Sequence, residues 1–191
     1  ATYVHSFSIG SEDTNPSGIT FKPDGTIMYI VGYNSDSVYQ YSLTTPWDIS
    51  TAVYANVNFS VVSQDALPTS IALNDDGTKM FITGSSTGLD SVHQYTLRTA
   101  WDISTAVGFS HYVGNEDSVP SGVAFKTDGT KMYIVGQTLD SVYQYSLSRP
   151  WELGTVTYDN VSFSVFAQDD KPENITFKPD GTTMYIVGST T

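Results

Sequence analysis

The chain has 191 residues, room for one domain, and its 39% apolar and 13% aromatic content is enough to bury a core. Its 20 acids against 8 bases leave a formal net charge of −12, which excludes the basic footprint that nucleic acid requires and disfavours an anionic membrane surface. There is no cysteine, hence no disulfide framework or thiolate metal site, and no run of apolar residues long enough for a helix to cross a bilayer. Abundant Tyr, Phe, Val, Ile and Thr favour strands, and no window sustains a helical period.

Residues 1–9, ATYVHSFSI, read as a strand of the kind that ends each later unit. Phe7 shares a phase with Phe59 and Phe163, and Asp13 with Asp65, Asp117 and Asp169. SGITFKPDG (17–25) alternates apolar and polar residues and meets Pro23-Asp24-Gly25, a strong turn signal. This is strand A. TIMYIVG (26–32) is nearly all apolar, as expected of a strand B buried on both faces. DSVYQYSL (36–43) is strand C, TTPWDIS (44–50) a connection carrying Trp47, and VYANVNFSVV (53–62) strand D.

The pattern then recurs. Gly25, Gly77, Gly129 and Gly181 stand 52 residues apart within the phrase Asp-Gly-Thr-x-Met-[Tyr/Phe]-Ile. A fixed stride of this size signals stacked supersecondary units. Four short strands per stride, joined by tight loops, make a propeller blade. The expected fold is an all-β propeller of four-stranded antiparallel blades. Residues 17–68, 69–120 and 121–172 form three complete blades. Residues 1–16 supply the outer strand of a split fourth, and 173–191 its inner strands. The second unit has two extra residues between strands B and C, SSTGLD against YNSD. Four full units would need about 208 residues, so one strand C with its Trp loop, the equivalent of 140–156, is wanting. The chain starts at Ala1 without Met, either because a leader was removed or because it is a piece of a longer repeat protein. A four-bladed ring with an incomplete last blade is one outcome. Head-to-tail assembly of copies by strand complementation is another, giving a ring or a filament.

The phrase P-S-G-[IV]-x-F-K-x-D-G-T-x-M-Y-I-V-G, followed by D-S-V-Y-Q-Y-S-L, resembles the repeats of YVTN- and NHL-type β-propellers. It is more similar still to tandem propeller repeats of phage and bacterial surface proteins, which share the S-x-P/A-W-D-[IV]-S-T-A segment. That resemblance implies an extracellular, virion or cell-surface location. Blades of the family run nearer 40 residues, so the long C–D connection is a departure.

In a blade, the B–C and D–A loops share one face. There each unit offers an Asp before strand C (Asp36, Asp90, Asp140) and an acidic or Gln-Asp pair in the D–A loop (Asp65, Asp117, Asp169, after Glu12-Asp13). A ring of carboxylates suits Ca²⁺, which takes six to eight oxygens. The plainer expectation is that each Asp caps a turn, since the residue repeats in every unit. Trp47, Trp101 and Trp151 are candidates to stack on a glycan or to plug the open end of a blade. His93 stands where Tyr39 and Tyr143 stand, and His111 where Phe59 and Phe163 stand; both read as substitutions of packing residues. Sequons at Asn58, Asn160 and Asn174 fall at different phases of the repeat. No Ser–His–Asp motif, P-loop, GxGxxG or HExxH is recognisable.

The expected function is therefore a non-enzymatic structural or adhesive propeller, acidic, without a required cofactor, partnered by itself or by further repeats. A lectin-like glycan-binding propeller, with or without Ca²⁺, is the second reading, and a propeller hydrolase or lactonase the third.

Overall fold

A computed structural model describes residues 3–86 and 90–189. The first sheet runs β1 (Pro16–Phe21), β2 (Ile27–Gly32), β3 (Ser37–Leu43), β4 (Ala52–Ser60), in that spatial order. The second runs β5 (Pro68–Leu73), β6 (Lys79–Gly84), β7 (Ser91–Leu97), β8 (Ala106–Tyr112). The third runs β9 (Pro120–Phe125), β10 (Lys131–Gly136), β11 (Ser141–Leu147), β12 (Val156–Ser164). β13 (Pro172–Phe177) and β14 (Met184–Gly188) form a two-stranded sheet. All neighbours are antiparallel. The architecture is three complete propeller blades and part of a fourth.

The Asp-Gly turn joins the first two strands of each blade. Asp24 accepts from the Thr26 N–H at 3.0 Å, the Gly25 N–H donates to the Lys22 carbonyl at 2.8 Å, and Gly25 sits at φ +73°. A left-handed residue there is cheap only for glycine. The loop after strand C returns to the same turn. The Trp47 N–H donates to the Gly25 carbonyl at 3.0 Å, and the indole lies over the glycine so closely that a Cβ would collide with it. Trp101 covers Gly77 and Trp151 covers Gly129 in the same way. A 3-10 turn follows each Trp, at Ile49–Thr51, Ile103–Thr105 and Leu153–Thr155. The strand pattern alone does not predict it. Its cue is local: Asp48 and Asp102 accept from the N–H of Ser50 and Ser104, both at 3.0 Å.

Blades pack face to face through apolar side chains. Tyr29, Val31, Val38 and Val61 of the first blade meet Ile71, Met80, Ile82 and Tyr95 of the second. Phe81 and Val92 of the second meet Met132, Ile134, Tyr143 and Tyr145 of the third. The inner strands lie side by side, tied by Ser17 Oγ to the Pro68 carbonyl at 2.8 Å and Ser121 Oγ to the Pro172 carbonyl at 2.7 Å.

The expected strand over residues 1–9 is not observed among residues 3–9. The segment nevertheless takes the position of a strand D. Phe7 meets Tyr41 edge-on at 5.6 Å, as Phe59 meets Tyr95 at 5.2 Å. It lacks a ladder because no strand C lies beside it among the described residues. The second blade departs most from the others. β4 and β12 carry bulges, with Asn56 and Asn160 at positive φ. β8 is two residues shorter than either and has no register shift. The longer loop before strand C offsets that shortening and keeps the stride; part of it falls outside the described residues.

Gly129→Ala and Gly181→Ala separate the two roles of the turn glycine. Both sit near φ +71°, but only Gly129 is covered by an indole. Gly181→Ala should cost about 1 kcal/mol of left-handed strain. Gly129→Ala should cost about 1–3 kcal/mol more for the displaced Trp151, read as a larger fall in the urea midpoint.

Candidate active site in the second blade

The D–A loop carboxylates hold their turns together; Asp13, Asp65 and Asp117 are buried and Asp169 is half-buried. Asp13 accepts from the N–H groups of Asn15 at 2.6 Å and Ser35 at 2.8 Å. Asp117 accepts from Val119 at 2.9 Å and from Thr138 and Leu139 at 3.2 Å. Asp169 accepts from Lys171 at 2.8 Å. Each bonds its own turn, and Asp13 and Asp117 also reach the B–C loop, so these two loops do share one face. Asp36 and Asp140 stand at φ +49° and +46°, each with an unpartnered Oδ1, and Asp90 is buried at the matching position. Burial, then the charges of Asp65 and Asp13, push the Asp36 carboxyl up. Among the described residues, no three His, Asp or Glu side chains gather as a metal site would require. Trp101 and Trp151 are half-buried, and Trp47 is 60% exposed.

Asp65 has a different neighbour. It is fully buried, and its Oδ1 accepts from the Leu67 N–H at 2.8 Å and the Ser86 hydroxyl at 2.6 Å. Its Oδ2 faces His93 Nε2 at 3.7 Å, and neither atom has a closer hydrogen-bond partner. The other ring nitrogen, Nδ1, is 2.6 Å from Ser110 Oγ. His93 is 3% exposed, while Ser110 lies on the surface. The register of β7 against β8 sets His93 directly opposite Ser110. His93 lies on the same strand face as Tyr95, which packs on Phe59 of the first blade.

Burial would raise the Asp65 carboxyl, but the neighbouring His93 ring and the hydrogen bonds from Ser86 and Leu67 outweigh it and hold it below the ordinary range. Asp65 is therefore an anion at neutral pH. An anion beside Nε2 favours the neutral tautomer protonated there, leaving the Nδ1 lone pair to accept the Ser110 hydroxyl proton. In the third blade Tyr143 occupies the His93 position, opposite Ser162, and its phenol donates to Asp117 at 3.4 Å. A phenol ends the chain of contacts at one oxygen. An imidazole has a second nitrogen and carries it on to the serine.

Of the nine residues singled out from sequence, only Asp65 belongs to this set. In the sequence His93 reads as a packing substitution, and nothing there marks Ser110. The available signal was the imidazole at a Tyr position in one unit of three. Asp65, His93 and Ser110 lie on separate segments, so no local motif joins them.

No protein-family model and no curated relative matches the chain. Solved structures do, as folds. A protein designated a 6-phosphogluconolactonase, from Bacteroides uniformis, superimposes with a TM-score of 0.63 at 12% identity, over 90% of this chain and 46% of that one. The periplasmic gluconolactonase of Pseudomonas aeruginosa gives 0.57 at 14% identity, over 89% and 46%. The propeller domain of Myceliophteria thermophila Cps50 (Swd1) gives 0.55 at 12%, over 91% and 50%. The protein is a β-propeller by fold, and the chain spans about half the length of these neighbours. The expectation of a non-enzymatic structural or adhesive module is corrected here. Propellers named as lactonases share its fold, and its second blade replaces a packing Tyr with a His placed between a carboxylate and a hydroxyl.

Asp65→Asn tests the charge. A carboxyl whose folded pKa lies below its reference value of 3.8 contributes stability above that value and loses it as pH falls through the folded pKa. The variant should be less stable at pH 7, and the gap to wild type should shrink below about pH 4, measured by urea unfolding across pH.

Proposed function

We propose that the chain is part of a propeller hydrolase that opens an ester or lactone by acyl transfer. The observation that carries this is the 2.6 Å contact between Ser110 Oγ and His93 Nδ1, backed by buried Asp65. Ser110 Oγ attacks the acyl carbon while its proton passes to His93 Nδ1. Asp65 stabilises the imidazolium that forms, and His93 returns the proton to the departing alkoxide oxygen. For a lactone that oxygen stays tethered to the acyl group. Water, deprotonated by His93, then releases the hydroxy acid and restores the serine.

The named activities of two fold neighbours support a sugar-acid lactone as the substrate class. Tyr112 is 50% exposed and follows Ser110 by two residues on the same face of β8, where its ring offers a stacking surface for a pyranose. The resemblance of the repeat phrase to surface-protein repeats supports an extracellular or virion location.

Hydrolysis of glucono-δ-lactone, followed by pH-stat above its spontaneous rate, and of p-nitrophenyl acetate tests the reading. Ser110→Ala and His93→Tyr should each lower kcat/KM by roughly 10²-fold or more. His93→Tyr restores the residue of the other blades, so circular dichroism and Tm should stay near wild type. A wild-type rate equal to buffer, or full activity in His93→Tyr, would overturn it.

A further inference from the structure

We infer that the sheet of β13 and β14 is a receptor for one more strand C and its Trp loop, supplied by a further repeat of the same chemistry. Four observations meet there.

The first is an open ladder. β2, β6 and β10 each pair on both sides, whereas β14 pairs only with β13 among the described residues. The second is an empty socket. Gly25, Gly77 and Gly129 are each covered by the indole of their own blade, but nothing lies within 4 Å of a Cβ placed on Gly181, whose φ of +72° is the same. A cleft of about 110 Å³ opens there, lined by Gly181, Phe177, Tyr133 and Phe125. In the preceding blade the matching space holds Trp151, which packs on Phe125 at 5.0 Å and on Phe81 of the neighbouring blade at 6.0 Å. Phe177 and Tyr133 stand 4.5 Å apart in those two roles.

The third is an amide without its usual partner. Gln40 and Gln94 of strand C reach across to the next blade and accept from the first N–H of its 3-10 turn, Ile103 at 3.5 Å and Leu153 at 2.7 Å. Gln144 has no such turn beside it and donates instead to Asp159 of its own blade at 2.7 Å. The fourth is exposed apolar surface on the open strand. Tyr185 and Val187 are 55% and 62% exposed, while Tyr29 and Val31 at the same places are fully buried.

These features specify the occupant. It is an extended segment of the D-S-V-x-Q-Y-[ST]-L type that ladders onto β14, followed by a Pro/Ala-Trp-[Asp/Glu] turn that inserts its indole over Gly181. Trp47, Trp101 and Trp151 all sit in their own sockets. A second copy in this conformation therefore has no free indole to offer, and the donor is a further repeat unit.

The test is complementation in trans by a peptide with the sequence of residues 140–156, added to the 191-residue chain. The peptide should bind 1:1, shift the Trp emission to the blue, and raise Tm by more than about 5 °C at saturation. The same peptide with Trp151→Ala should bind at least tenfold more weakly, and a scrambled peptide not at all. A fusion that appends the same segment after residue 191 through a Gly/Ser linker should show a similar Tm rise independent of concentration. No shift with peptide or fusion, equal binding of the Trp→Ala peptide, or a self-dimer that excludes the peptide would each overturn the inference. None of these readouts depends on ester or lactone hydrolysis, so failure of the proposed activity leaves the test intact.

Discussion

The structure depends on apolar sheets that cannot face water on either side. Strands β2, β6 and β10 are buried along most of their length, so each blade is stable only when a neighbour covers it. Burial of an aromatic side chain stabilises by about 1.5–3 kcal/mol, and each inter-blade layer holds several. Tyr29 shows how the layers are also registered. Its ring is fully buried and its hydroxyl donates to the Trp101 carbonyl of the next blade at 2.7 Å. Apolar area supplies the drive, and a few directional bonds at the ends of strands set the position.

That repeated requirement explains why most of the chain is chemically quiet. The carboxylates of the D–A loops recur because every blade must join two loops on the same face. Asp13 and Asp117 satisfy partly buried backbone N–H groups of both loops, and Asp169 bonds the N–H of its own turn. A residue present for such a reason must appear in each unit, and a residue present for chemistry need not. The second blade keeps the Asp but changes the ring beside it. His93 remains as buried as the tyrosines it replaces, so packing is preserved while the polar end gains a second contact to Ser110.

The turns and strands were legible because their causes are local. Pro-Asp-Gly requires a turn, the TIMYIVG type of run suits a strand covered on both faces, and the equal stride of the glycines shows that the units stack in register. The Trp loops were legible as connections, but neither the seat of each indole over a turn glycine nor the 3-10 turn behind it was, since the glycine is remote in sequence and the Asp cap spans only two residues. Residues 3–9 share the phase of a strand D, and Phe7 meets Tyr41 as Phe59 meets Tyr95, but the segment forms no ladder. A strand needs a hydrogen-bonding neighbour, and phase alone does not provide one.

Composition and spacing by themselves determined an all-β chain of repeating units, the end of each blade at which a loop would lie, and the residues that would be buried between units. These follow from side-chain volume, turn chemistry and a period, all of which are properties of short segments. Only the tertiary structure decided what Asp65, His93 and Ser110 are to one another, and that Gly181 lies uncovered beside Phe177 and Tyr133. Both depend on distances between segments that are remote in sequence, and those distances exist only once the register of β7 on β8 and the packing of one blade on the next have been set.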